Sequence, residues 1–249
     1  MSESLEFTIE IAATRETVYA FLTDPALFQQ WMGATSEMAA GSHGSFVVRY
    51  PTGDEAVGEV VEAVPPARVV YTWGYRDGRY GLGPGGSRVI IELTVVPAGT
   101  RVSLRHEGLP SEPVRTAHEQ GWRYYFGLLS ARATDRQTAQ ALGAALAAWT
   151  RAWNGADEAA LARGCTEDVI YVDRLASVRG RDALLRHIKN ARAFAPSVRL
   201  EVTGAPSITQ SFARFDWRMD ANGQSLGNGL AVGELSLDGQ FVRVVSFWS

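Results

Sequence analysis

A single cysteine, Cys165, stands in a chain of 249 residues. No intramolecular disulfide can form, and no cysteine cluster can hold a metal. Lysine is as scarce: Lys189 is the only one, and every other basic side chain is an arginine. Basic residues total 24 against 27 acidic ones, for a net charge of −3. The basic stripe of a nucleic-acid-binding surface is therefore missing, and no nucleic-acid partner is expected. No apolar run approaches the ~18 residues of a spanning helix, so no membrane role is expected either. Residues Met1 to Glu10 lack a basic segment followed by an apolar one. That pattern predicts no secretory leader and a cytoplasmic protein. The four histidines have no partner at metal-ligand spacing, and the glycine run Gly81–Gly86 precedes a strand instead of opening a helix. Neither a metal nor a nucleotide cofactor is expected.

What remains is ordinary globular composition, 46 % apolar and 20 % charged, over a length that suits one large domain or two small ones. The charge divides unevenly, net −5 over residues 1–130 and net +2 over 131–249. Between Ser130 and Thr134 one helical pattern ends and another begins without a Pro/Gly linker. This predicts two domains, residues 1–132 and 134–249, joined by a short hinge or by nearly continuous helices.

The first half opens with alternation, Leu5, Phe7, Ile9 and Ile11 on one strand face and Glu6, Thr8 and Glu10 on the other. Thr14 then stands as an N-cap to a short helix that must end before Pro25. Strands follow at 46–50, 56–64, 69–73, 89–96 and 101–106, with turn signals between them. A closing helix over 112–132 carries Val114, His118, Trp122, Tyr125 and Leu129 as one apolar stripe. A curved antiparallel sheet gripping one long helix packs these elements economically.

Several separated runs in this half carry a resemblance. They are Gly44-Ser45-Phe46, Tyr50-Pro51-Thr52-Gly53, Gly58 to Pro66, Val70-Tyr71-Thr72-Trp73, His106 to Pro110 and His118 to Trp122. Over about residues 5–130 the chain resembles the activator of heat-shock-protein-90 ATPase homologue family. The resemblance implies a START-like, helix-grip fold with an apolar cavity under the helix. The chaperone in the family's name does not by itself imply a chaperone partner, because fold membership does not give function.

The second half has another rhythm. Helices are predicted from Thr134 to Gly155, over 158–163 and from Gly180 to Ile188. A strand over 169–173 lies between the last two, and four more follow at 198–203, 212–219, 226–237 and 241–248. Asn222-Gly223 and Asp238-Gly239 mark hairpins. Three helices and then a meander predict an α+β cone, a curved antiparallel sheet wrapped by helices. The runs Trp153 to Asp157, Thr166 to Asp173, Gly180 to Leu184 and Val244 to Phe247 resemble the SnoaL-like, nuclear-transport-factor-two-like family. This covers about residues 135–249 and implies a cavity-bearing fold shared with ketosteroid isomerase and polyketide cyclases.

By that resemblance Asp173 occupies the place of an isomerase general base. A carboxylate in an apolar pocket is shifted toward the pKa such a base needs. The same alignment puts Trp149 and Ala231 where the two oxyanion donors belong, so the largest electrostatic contribution of that chemistry is missing or replaced. The competing reading is structural: Asp173 pairs with Arg174 or Arg179, or caps a turn.

Elsewhere, aromatic and imidazole side chains fall in phase with the expected cavities. In the first half these are Trp31, Tyr71, Trp73, His106, His118 and Trp122, and in the second Trp149, Trp153, Tyr171, Trp217 and Trp248. Each has a plainer reading as a core residue, the two histidines as hydrogen-bonded core groups. Three functions follow from these residues. The first is a binding protein for an apolar or aromatic, polyketide- or steroid-like molecule. The second is a cyclase- or isomerase-type enzyme using Asp173. The third is a co-chaperone or stress-related interaction protein, or a homodimer formed through the second-domain sheet.

Overall fold

The computed structural model describes residues 4–39 and 43–249. Met1 to Glu3, the start of the segment read above for a leader, lie outside the described residues. The chain divides into two compact units, Met1–Thr134 and Asp135–Ser249.

In the first unit, strand β1 (Leu5–Ile11) keeps the alternation of its sequence, with Leu5 and Ile11 buried and Glu6, Thr8 and Glu10 exposed. Helix α1 (Arg15–Thr23) starts at Thr14, whose hydroxyl accepts from the Thr17 amide at 3.3 Å. It stops at Asp24, which in turn caps α2 (Pro25–Phe28), with Pro25 at the first helical position where its missing N–H does no harm. Then come β2 (Thr35–Met38), β3 (Ser45–Arg49), β4 (Glu55–Val64), β5 (Arg68–Tyr75), β6 (Ser87–Val96) and β7 (Gly99–Glu107). They form one antiparallel sheet in the order β1-β7-β6-β5-β4-β3-β2. Helix α3 (Glu112–Gly155) closes the unit with Val114, His118, Trp122, Phe126 and Leu129 buried. Its 44 residues run without interruption through the 130–134 segment, where neither Pro nor Gly breaks the ladder.

The second unit takes the last turns of α3, then α4 (Glu158–Gly164), β8 (Cys165–Val172), β9 (Ser177–Arg179) and α5 (Arg181–Phe194). Four long strands follow: β10 (Arg199–Thr209), β11 (Phe212–Ala221), β12 (Gln224–Leu235) and β13 (Phe241–Trp248). The sheet order is β10-β11-β12-β13-β8-β9, antiparallel throughout except that β13 runs parallel to β8. The Asn222-Gly223 hairpin has both residues at positive φ, 51° and 80°, as a two-residue turn of that twist requires. Trp149, Trp153, Tyr171, Phe215, Trp217 and Phe241 fill the concave side.

The run from Trp153 to Asp157 has a mechanical explanation in this chain alone. The Asn154 amide donates to the Leu200 carbonyl at 2.9 Å and accepts from the Leu200 N–H at 2.7 Å, clasping α3 to β10. Asp157 then caps α4 by accepting from the Ala160 amide at 2.9 Å.

Candidate functional site

The first unit holds a cavity of about 240 Å³. Strand β5 supplies Trp73 and Tyr75, and α3 supplies Ala117, His118, Gly121, Trp122 and Tyr125. Met32, the Tyr50–Asp54 turn and Tyr80 complete the wall. Tyr80 holds a left-handed backbone conformation at φ 57°, unusual for a bulky residue, and turns its ring edge to Tyr75 and His118. Asp54 is paired with Arg79 beside it.

Two directed hydrogen-bond chains run through and behind this wall. His118 Nδ1 sits 2.8 Å from the Val114 carbonyl, which can only accept, so Nδ1 carries the proton. Nε2 is then the acceptor and takes the Tyr75 hydroxyl at 3.2 Å. His106 has the opposite tautomer. Its Nδ1 accepts from the Trp122 indole at 3.1 Å, so Nε2 donates to Ser87 Oγ at 2.9 Å, and the Ser87 hydroxyl donates to the Trp73 carbonyl at 2.9 Å. Burial lowers the pKa of both imidazoles, His106 to about 3 with the neighbouring His118 adding to the effect. Both rings are neutral at pH 7. Burial likewise raises Tyr75 to about 12 and Tyr50 well above the usual phenol range. The site therefore offers neutral polar groups inside an aromatic wall, and the buried Trp73 indole lies beside the Tyr75 hydroxyl, which it acts on as a donor.

Of the residues expected at this cavity, Trp73, His118 and Trp122 line it. His106 stands one shell back and orients Trp122. Trp31 and Tyr71 are not part of the wall. The Trp31 indole donates to the Phe21 carbonyl at 2.8 Å and the Tyr71 hydroxyl to the Leu22 carbonyl at 2.5 Å, so both tie down the end of α1. The reading from sequence missed Tyr50, Asp54, Tyr75 and Tyr80. Tyr75 was detectable, being two residues beyond Trp73 and so on the same strand face.

In the second unit, Trp149, Trp153, Tyr171, Trp217 and Trp248 surround a space of only about 20 Å³, since their rings pack against one another. A larger cavity of about 420 Å³ opens beside it, with Asp173, Leu175, His187, Phe194, Leu226 and Trp248 in its wall. Asp173 is half-buried and fully engaged. Its Oδ1 accepts from the amides of Leu175 and Ala176 at 2.8 and 2.7 Å, and its Oδ2 takes the Tyr171 hydroxyl at 2.9 Å. This closes the turn between β8 and β9, and among the described residues no arginine takes part in it. Burial and the adjacent carboxylate raise the Tyr171 pKa, so its proton stays in this bond.

Among the described residues no group of three or more His, Cys, Asp or Glu is arranged to hold a metal ion, and no helix is long and apolar enough to cross a membrane. The buried Cys165 thiol is pushed up to about 12, far from a reactive thiolate.

A seven-stranded sheet closed by a helix, followed by helices over a curved sheet, defines a helix-grip domain joined to an α+β cone. Residues 12–133 match the family model described as Activator of Hsp90 ATPase homolog 1-like protein, and residues 146–248 match the SnoaL-like domain. One match falls within each of the two units. Among solved structures, an AHSA1-like protein from Rhizobium etli is 32 % identical over 53 % of this chain and 82 % of its own, with a TM-score of 0.42. A SnoaL-like family protein from Agrobacterium tumefaciens is 26 % identical over 44 % of this chain and 98 % of its own, with a TM-score of 0.42. The Aha1 dimer from Colwellia psychrerythraea is 19 % identical over 51 % of this chain and 93 % of its own, with a TM-score of 0.44. No curated protein matches the chain.

Proposed function

We propose that this protein binds apolar or aromatic small molecules, with the first unit's cavity as its principal site. The observation that carries this reading is the wall itself: aromatic rings around about 240 Å³, with the neutral, hydrogen-bonded Tyr75–His118 pair among them. An apolar pocket with a few fixed polar groups is the usual form of a small-molecule site. Its size narrows the ligand. Pockets for drug-sized molecules run from roughly 300 to 1,000 Å³, so this one suits a one- or two-ring aromatic better than a four-ring steroid or polyketide. The neutral histidines and high phenol pKa values argue for an uncharged ligand.

Titration of the intrinsic tryptophan fluorescence with naphthalene-sized compounds, and separately with steroids, tests this reading. Saturable quenching by the small compounds at micromolar concentration is expected, with weaker response to steroids. No response to either set would overturn it. The enzyme reading through Asp173 gains no support from a carboxylate whose two oxygens already accept three hydrogen bonds in a turn.

A further inference from the structure

Leu175, Phe194 and Leu226 stand in solvent at one end of the cone, 74 %, 93 % and 56 % exposed. They come from three separate places in the chain: the turn between β8 and β9, the last residue of α5 and the start of β12. All three border the cavity of about 420 Å³, so they ring one mouth. Apolar side chains exposed singly need no explanation, but a group of them around one opening marks a contact surface. Phe194, almost wholly in solvent, adds nothing to the core of the unit.

The charge beside this mouth is positive. Arg174 lies over the Trp248 ring, 4.1 Å from its centroid. Arg192 donates to the carbonyls of Val198 and Pro196, and Arg199 donates to the same two carbonyls at 3.0 and 3.3 Å. A ring and neutral carbonyls leave all three guanidinium charges in place. Among the described residues no carboxylate forms an ion pair with any of them. Asp173 is the one carboxylate in the cavity wall among the described residues, and it already accepts the three bonds of its turn. On β11, Asp220 is paired with Arg218 at 2.7 Å.

We propose that this end of the second unit docks on an anionic lipid bilayer. Phe194, Leu175 and Leu226 enter the headgroup boundary, and Arg174, Arg192 and Arg199 beside them meet the lipid charge. This goes beyond the small-molecule reading of the first unit and does not rest on it. A helix or strand partner needs a continuous groove or a free sheet edge. Here the apolar side chains project from separate elements, which suits a fluid boundary of no fixed shape. The whole chain carries a net charge of −3, so the attraction is local. At physiological ionic strength a charge is felt over about 8 Å, and the arginines at the mouth decide the sign there. The expectation of no membrane role rests on the absence of an apolar run, and a surface assembled from three separate elements leaves no such run in the sequence.

The test is co-sedimentation of the full chain with phosphatidylcholine vesicles and with vesicles of equimolar phosphatidylcholine and phosphatidylglycerol. Binding to the anionic vesicles is expected, weakened by added salt, with much less binding to the neutral ones. Phe194→Ser should lower the partition coefficient at least about tenfold, the worth of a large apolar side chain taken out of water. Leu226→Ser, on a different element, should act in the same direction. Arg174→Gln should lower it about fivefold. All three positions are on the surface, so the variants should melt like the parent. No binding to the anionic vesicles would overturn the proposal. So would equal binding to both lipids, or binding that all three variants leave unchanged. Self-association without lipid that Phe194→Ser abolishes, with no vesicle binding, would overturn it in favour of a contact between two copies. Ligand binding by the first unit is read without vesicles and stands or falls separately.

Discussion

His106 makes the first unit acid-sensitive by a calculable amount. Its ring is fully buried and its pKa falls to about 3, burial being the larger cause and the nearby His118 the smaller. The unfolded chain has an ordinary imidazole near 6.5, so below that pH the unfolded state binds a proton that the native state refuses. The stabilisation is thus complete above about pH 6.5 and is lost as pH falls toward 3. At 1.36 kcal/mol per unit, lowering the pH from 7 to 5 removes about 2 kcal/mol through this group alone. The replacement His106→Gln keeps a donor and an acceptor between Ser87 and Trp122 but cannot titrate. Hydrogen exchange of the β6 and β7 amides, corrected for its intrinsic pH dependence, reports the opening free energy of this unit at each pH. The variant should start less stable at pH 7 and lose about 2 kcal/mol less than the parent on going to pH 5. Equal losses in the two proteins would refute the reasoning, because the carboxylates common to both cancel in the comparison.

Two further expectations concern the second unit and the boundary. Asp173→Ala removes acceptors for two amides and a buried hydroxyl and should cost about 1–3 kcal/mol in urea unfolding of the second unit. It should leave ligand binding in the first unit unchanged, and a stability-neutral substitution would contradict the capping role. Residues 1–134 and 135–249, expressed separately, should each give a soluble product with cooperative melting, since each has its own apolar core. Failure of both would show that the uninterrupted α3 makes the chain one folding unit.

The strands of both halves were legible because alternation and Gly-containing turns act locally. Asn222-Gly223 is the plainest case, its positive φ values being what the dipeptide favours. Strands β2 and β9 were not legible. Thr35-Ser36-Glu37-Met38 is polar and Ser177–Arg179 is three residues long, and both lie at sheet edges where a neighbour imposes the extended form. The parallel pairing of β13 with β8 could not be read either, because about seventy residues separate the partners and no local pattern records it. The site followed the same division. Trp73, His118 and Trp122 lie on elements whose periodicity gives the facing side, and they line the cavity. Tyr50, Asp54 and Tyr80 lie in turns, where only the folded backbone says which way a side chain points. Trp31 and Tyr71 share the right phase, yet their polar atoms are consumed by the carbonyls that end α1.

Whether the first unit's cavity takes the ligand can be tested by filling it. Gly121 lies in the cavity wall on α3, and a Cβ built there meets nothing within 4 Å. Gly121→Leu therefore places a side chain in the empty space without a backbone clash. It should also favour the helix by somewhat under 1 kcal/mol, since glycine is the poorer helix former. Calorimetric titration of the parent and this variant with a naphthalene-sized aromatic, beside their melting curves, is the direct measurement. The parent should bind, the variant should lose the first-unit site, and the variant's melting temperature should be unchanged or raised. Undiminished binding to the first unit of a variant that melts like the parent would contradict the proposed site.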